Sequence, residues 1–451
     1  MTPERLFDEE RRALSFGIVL SVSLIAFEAM SVATILPVAA RELEGLGGYG
    51  WAFSAFMLAN LVGTIATGQL ADRRGPVRPL LLALAFFAAG LAVAGSATSW
   101  PLLIVGRVLQ GAGGGGIMTL AYTSVRRGYP EHLRAKALAI VSTAWVLPSV
   151  LGPLAAGLIA QAAHWRWVFL GLLPLVVITG ALMTPALARM PKTNGETTDG
   201  RRLLFAFALS VGMGLVLLGF EVRGVLAGLS IVCGFALALP ALTKLLPRGF
   251  WTARPGLPAG LAFRGLLSFV FFGAEAFVPL GLATLRGLSP TEGGLVLTGA
   301  SLSWVVGSWT QARLDARRGP PSRRMRLLVG LALVVLGIAS MTLAAITPAL
   351  PVGLAAVGWA LAGLGMGLAY PTSSVLVLGL AQPGEEGRTS ANLNLVESLG
   401  IAFGAGLAGA VFDLCRKAGL TDARTLAITF AVAIAPSVLA FVAAGRAVRR
   451  E

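Results

Sequence analysis

Long apolar runs alternate with short charged or Gly/Pro-rich breaks along this chain. The runs fall at about 16–40, 51–71, 79–97, 102–123, 136–162, 166–188, 203–219, 225–246, 257–283, 292–312, 326–346, 353–380, 391–414 and 424–446. Roughly 20 apolar residues in a helix reach across the hydrocarbon core of a bilayer. The pattern therefore predicts fourteen membrane-spanning helices. The first run follows MTPERLFDEERRALS, which mixes both signs of charge and offers no small-residue cleavage site, so it is expected to stay as a span rather than be removed as a leader.

Composition agrees. With 56% hydrophobic and 13% charged residues and a mean hydropathy of +0.80, the chain is too apolar for water-soluble domains. Its 57 glycines suit helices that approach closely in lipid. A net charge of +15 would suggest nucleic-acid binding in a soluble protein. Its distribution says otherwise. With the N-terminus taken as cytoplasmic, 27 of the 36 Lys and Arg fall in cytoplasmic loops, seven fall on the far side, and Arg107 and Arg264 lie within spans. A miscounted span would have mixed the two sets, so both termini are expected in the cytoplasm. Arg264, near the inner end of its span, is expected to snorkel to the interface.

Other chemistries are not supported. Cys233 and Cys415 make no disulfide framework, and His132 and His164 fall in loops on opposite sides, so no metal site is predicted. The run LQGAGGGGIM (109–118) lacks the Gly-Lys-Ser/Thr ending of a phosphate loop. No nucleophile, base and orienter can be assembled. The chain is expected to be neither an ATP-driven pump nor an enzyme, and to need no cofactor.

An internal repeat sets the domain plan. GQLADRRGP (68–76) reappears as QARLDARRGP (311–320), AYTS (121–124) as AYPTS (369–373), and GPLAAG (152–157) as GAGLAG (404–409), with offsets near 250 residues. Six spans end near residue 188, which leaves about 60 residues outside both copies. The predicted plan is an N-terminal six-helix bundle (1–188), a linker with two inserted spans (189–256) and a C-terminal six-helix bundle (257–451).

Four stretches carry a family likeness: EAMSVATILP (28–37), GQLADRRG (68–75), LLIVGRVLQGAGGG (102–115) and PSVLGPLAAG (148–157). They resemble the first-helix, loop, fourth-helix and fifth-helix motifs of the major facilitator superfamily, in its fourteen-helix drug:proton antiporter branch. Glu28 stands where the first-helix motif has Asp, Pro148 and Ala156 replace glycines of the fifth-helix motif, and the basic residue after Gly75 is displaced to Arg78. The resemblance implies an all-helical fold of two bundles plus an inserted pair, and alternating access. It also implies conformational roles for Gly68, Asp72, Arg73 and Gly75, for Asp315 in the degenerate second copy, and for Gly152, Pro153 and Gly157 in a kinked, closely packed helix. Asp72 is read as lying just before the third helix, where its dipole favours a carboxylate.

The acids carry the mechanism. An ionised side chain at the bilayer centre costs about 2.5–3.5 kcal/mol on insertion scales, so something must offset Glu28. A carboxylate that is neutral when enclosed and ionised when wet carries protons if its exposure alternates. Glu275 holds the place of Glu28 in the repeat, about 247 residues on, and both are expected on the cavity wall. Glu397, with Asn394 one turn before it, is a third candidate, and its repeat partner Trp145 would set an aromatic face opposite an acid, suited to amphipathic cations. For Arg107, a structural role and a role in tuning the proton site both stand. The expectation is a proton-coupled multidrug exporter of hydrophobic or amphipathic, cationic molecules, monomeric in a bacterial inner membrane. The nearest alternative exports an endogenous lipid or metabolite, and a remote one is a non-transporting scaffold or sensor.

Overall fold

The computed structural model describes residue 8 and residues 11–189, 200–382 and 385–448. Most of the charged leader, ten residues of the predicted linker (190–199) and the chain ends Met1 and Glu451 lie outside the described residues. Every regular element within them is helical. The long segments are α1 (Arg12–Glu42), α2 (Gly45–Arg74), α3 (Val77–Gly95), α4 (Trp100–Gly128), α5 (Glu131–Ala162), α6 (Arg166–Ala188), α7 (Arg201–Glu221), α8 (Val225–Leu245), α9 (Leu257–Arg286), α10 (Pro290–Arg318), α11 (Pro320–Ile346), α12 (Gly353–Gly379), α13 (Gly387–Lys417) and α14 (Asp422–Ala447).

Twelve of these are long and apolar enough to cross a membrane. The two that fall short of the expected fourteen are α4 and α10, although each has 29 residues. Their length suffices and their apolarity does not. α4 gives up side chains to glycine and carries Arg107 and Gln110 inside, while α10 carries Ser, Thr and Gln residues along its length. The inserted pair, by contrast, forms two full helices of 21 residues each.

Four spans are broken in the middle, at Ala144–Trp145, Gly171–Leu172, Ala276–Phe277 and Ala435–Pro436. A proline at or shortly after each break explains it, because the ring removes the donor that the carbonyl four residues earlier would use. Pro148 frees the carbonyl of Ala144 in this way, and the Ser23 hydroxyl of α1 donates to it at 3.0 Å. The break is thereby tolerated inside an apolar bundle.

α1–α6 and α9–α14 share one packing scheme. In each group the first helix packs on the fifth, and the fourth lies between the second and third. The groups meet along two seams, α2 on α13 and α5 on α10, while α7 and α8 pack on each other and α7 packs against α2 and α13. Contact is tightest at the end where α1 stops and α2 begins. There Arg41 donates to the Thr284 hydroxyl at 3.0 Å, Thr291 to Gln161 at 2.8 Å, and the Ser54 hydroxyl to the Ala402 carbonyl at 2.6 Å. At the opposite end the first piece of α5 (Glu131–Thr143) lies against α4 and α1 and stands away from α10.

Candidate functional site

The first polar cluster is sealed inside the N-terminal half. Glycines on two faces of α4 create it. A Cβ at Gly111 would sit 2.1 Å from the Phe56 carbonyl oxygen, and one at Gly113 would sit 2.4 Å from the Phe87 nitrogen, so α4 is clamped between α2 and α3 only because side chains are missing there. That close approach delivers Arg107 to its partners. Its Nε donates to the Ala52 carbonyl at 2.9 Å, its Nη1 donates to Glu28 Oε1 and to Gln110 Oε1, and its guanidinium lies 4.3 Å from the Phe56 ring centre.

Glu28 is 0% exposed. It therefore faces the interior of its own half here and not an open cavity wall, because Arg107 draws it towards α4. Its second oxygen, Oε2, is buried without a hydrogen-bond partner, as is Gln110 Nε2. A low-dielectric surrounding opposes the charge on Glu28 and the guanidinium supports it. The carboxylate can thus change its protonation state only if its access, or its hold on Arg107, changes.

The second cluster lies in the C-terminal half, and it overturns one expectation. Arg264 does not snorkel: it is 2% exposed. Its Nη2 and Nε donate to Glu397 Oε2 at 3.0 and 3.3 Å, and its Nη1 donates to the Tyr370 carbonyl and the hydroxyls of Ser373 and Ser374 at 2.9, 3.0 and 3.1 Å. The guanidinium sits 3.1 Å from the Tyr370 ring centre, and the Tyr370 hydroxyl donates to Glu397 Oε1 at 2.5 Å. Anchors on α12 and α13 outcompete the interface for this cation. Neither Arg264 nor Tyr370 was among the predicted site residues. The AYTS/AYPTS repeat was the signal that could have found Tyr370.

The remaining candidates are spread out. Glu275 is half-buried at the end of the first piece of α9, just before the break. Trp145 stands at the α5 break, half-buried against the core of the N-terminal half. Asn394 is exposed one turn before Glu397. Gly152, Pro153 and Gly157 lie on the α5/α10 side of the molecule. The Ser31 hydroxyl donates to the Gly152 carbonyl at 3.2 Å, a Cβ at Gly294 would sit 2.5 Å from the Pro153 carbonyl oxygen, and one at Gly157 would sit 2.6 Å from Thr291 Cα.

The repeated loops form matching turns. Gly75 and Gly319 take φ values of +77° and +60°, where a side chain would strain the backbone. Gly68 has only ordinary contact with Thr119, so close approach does not require it. Asp72 belongs to the last turn of α2 and not to the start of α3, which begins at Val77. Its carboxylate accepts from Arg127 of α4 at 2.9 Å, beside Arg73 at the same helix end. Asp315 accepts from Arg323 at 3.0 and 3.1 Å and also from Arg326. These bonds, those of Arg323 foremost, hold the Asp315 carboxyl down at about 2. Its unfolded value is near 3.9, so the stabilisation is complete above that value and is lost only as pH falls through about 2. Asp315→Asn should lower the thermal unfolding temperature in detergent equally at pH 8 and pH 5. A difference that shrinks between those two pH values would contradict this.

Known proteins share this sequence and shape. The sequence profile of the Major Facilitator Superfamily matches residues 18–405. A probable multidrug-efflux transporter of Mycobacterium tuberculosis is 28% identical over 95% of this chain and 94% of its own. A multidrug efflux pump of Staphylococcus aureus is 25% identical over 88% of this chain and 89% of its own. Among solved structures, a POT family transporter in complex with 5-aminolevulinic acid matches with a TM-score of 0.72 at 14% identity, over 96% of both chains. A bacterial homologue of the human lysosomal transporter Spinster, inward-facing and unoccupied, matches with a TM-score of 0.66 at 16% identity, over 98% of this chain and 96% of its own. At such identities the two structures speak for the fold alone.

Proposed function

The chain belongs to the major facilitator superfamily, and on that premise we propose that it exports hydrophobic or amphipathic, cationic small molecules in exchange for protons. It is a multi-pass membrane transporter and not an enzyme. The observation that carries the proton-coupled reading is the sealed Glu28–Arg107–Gln110 cluster, a carboxylate with one paired and one unpaired oxygen inside a bundle built to rock. The cargo class comes from the multidrug relatives and from the carboxylates and aromatic rings of the C-terminal half.

The exchange runs through these residues in order. When the two halves part at the sealed end, water reaches Glu28 and the carboxylate takes a proton, which weakens its hold on Arg107. Arg107 retains Gln110, the Ala52 carbonyl and the face of Phe56, so the half stays folded. Closing that end and opening the other returns the proton, with Glu275, at the break in α9, as the second carrier. Glu397, Asn394 and Trp145 meet the cargo, and the proton gradient is the sole driving force. Gly157 and Gly294 allow the two halves to touch and separate. Asp72 with Arg127, and Asp315 with Arg323 and Arg326, brace the opposite end as it opens and closes.

On this reading all fourteen long helices cross the membrane. α4 and α10 are each long enough, and the helices packed on either side cover the positions where they lack apolar side chains. Residues 1–188 and 257–451 form the two moving bundles, and both termini face the cytoplasm of a bacterial inner membrane. The protein works as a monomer and takes no part in nucleic-acid binding. Inverted vesicles from a strain lacking its own pumps test the proposal: a panel of lipophilic cations should move only with an imposed pH gradient. Gradient-independent movement, or movement of neutral lipids alone, would refute it.

A further inference from the structure

The exchange just described leaves Arg264, Tyr370 and Tyr122 without a job. We infer that Glu397, Tyr370, Trp304 and Tyr122 form a binding site for lipophilic cations, and that the guanidinium of Arg264 occupies it as a tethered stand-in when no cargo is bound.

The chemistry is that of a cation site. A carboxylate beside aromatic faces recognises quaternary ammonium and phosphonium groups, which cannot donate hydrogen bonds and so depend on charge and ring faces. Here the ring of Tyr370 lies under the Arg264 guanidinium, is braced edge-on by Trp304 at 5.3 Å, and sends its hydroxyl to the same carboxylate. The internal cation already makes the contacts an incoming one would make.

Two further features favour a replaceable occupant over a fixed ion pair. First, Arg264 has acceptors other than Glu397: the Tyr370 carbonyl and the hydroxyls of Ser373 and Ser374, all on α12. It can release the acid without being left unpaired, which removes most of the penalty for breaking a buried pair. Second, the acid is the open partner. The Glu397 side chain is 18% exposed and that of Arg264 is 3% exposed, so a ligand reaches the carboxylate with the arginine behind it.

Tyr122 links this site to the other half. It lies on α4, is 47% exposed, and is close enough to Glu397 for that charge to act on its phenol. It is also the repeat mate of Tyr370, AYTS against AYPTS. A cation between the two tyrosines would touch both bundles, and would bind most tightly when they approach at that end.

This inference rests on the cation-export reading above, and the test separates the two. Tetraphenylphosphonium binding is measured on the purified full-length protein in detergent, with triphenylphosphine oxide as the neutral control. Arg264→Gln should tighten phosphonium binding by about tenfold, Arg264→Lys should leave it near wild type, and Glu397→Gln should weaken it by about tenfold or more. None should move binding of the neutral control. Looser binding in folded Arg264→Gln protein would overturn the inference. If that variant does not fold, Tyr122→Leu decides: loss of phosphonium affinity supports the site, and wild-type affinity overturns it. A wild-type protein that exports phosphonium while the variants leave its affinity unchanged sinks only this inference. One that neither binds nor exports it refutes the export reading as well.

Discussion

Glu28→Gln should abolish pH-gradient-driven efflux, by at least about a hundredfold in initial rate, while leaving normal amounts of folded protein in the membrane. A neutral side chain cannot carry a proton between the two sides, so the coupled step loses its carrier and not merely its rate constant. The fold survives because the substitution is isosteric. An amide oxygen replaces the carboxylate beside Arg107, which keeps Gln110 Oε1, the Ala52 carbonyl at 2.9 Å and the Phe56 face. The reverse change behaves differently. Arg107→Ala leaves a fully buried carboxylate with no counter-charge, at a cost of about 3–5 kcal/mol, and should reduce folded protein before any transport is measured. Ethidium uptake into inverted vesicles, where export runs inward, alongside size-exclusion profiles of the two variants, separates these effects. Undiminished gradient-driven efflux by Glu28→Gln would remove Glu28 from the coupling path.

The contrast between Glu28 and Arg264 shows what a sequence can and cannot convey here. An acid within an apolar run announces itself by its cost, and its distance to Pro37 ties it to a motif. Which way it points depends on Arg107, 79 residues away. That link passes through a glycine-clamped helix that no local pattern reveals. Arg264 was harder still. A cation near the end of a span gives the same hydropathy whether it reaches out to headgroups or in to a partner, and its partner Glu397 lies 133 residues on. The seryl and tyrosyl acceptors on α12 decide the matter. The span count depends on the criterion for a related reason: α4 and α10 spend their length on glycine and polar packing positions, so charge parity counts them as spans while apolarity counts twelve without them. The repeat was legible because each turn motif needs its own glycine. Gly75 and Gly319 hold left-handed backbone at the same place in each copy.

The glycines of α5 and α10 carry the second large effect. A side chain at 157 would begin 2.6 Å from Thr291 Cα and 2.8 Å from the Pro290 carbonyl oxygen, both backbone atoms of the opposite half. Backbone cannot rotate out of the way as a side chain can, so Gly157→Leu must push the halves apart at that end. The three atoms nearest to that added carbon all belong to Pro290 and Thr291 of the opposite half, so the clash falls between the bundles and each should still fold. The variant should be trapped with the sealed end open, with transport lost in both directions and thermal stability of the bundles little changed. Gln161 and Thr291, hydrogen-bonded at 2.8 Å across the same seam, provide the readout. With Cys233 and Cys415 replaced by Ser, a Gln161→Cys/Thr291→Cys pair should form a disulfide readily in the otherwise unchanged protein and fail to do so once Gly157→Leu is added. If the cross-link forms equally well in both, the seam tolerates the side chain, and the close glycine contact is not what lets the two halves meet.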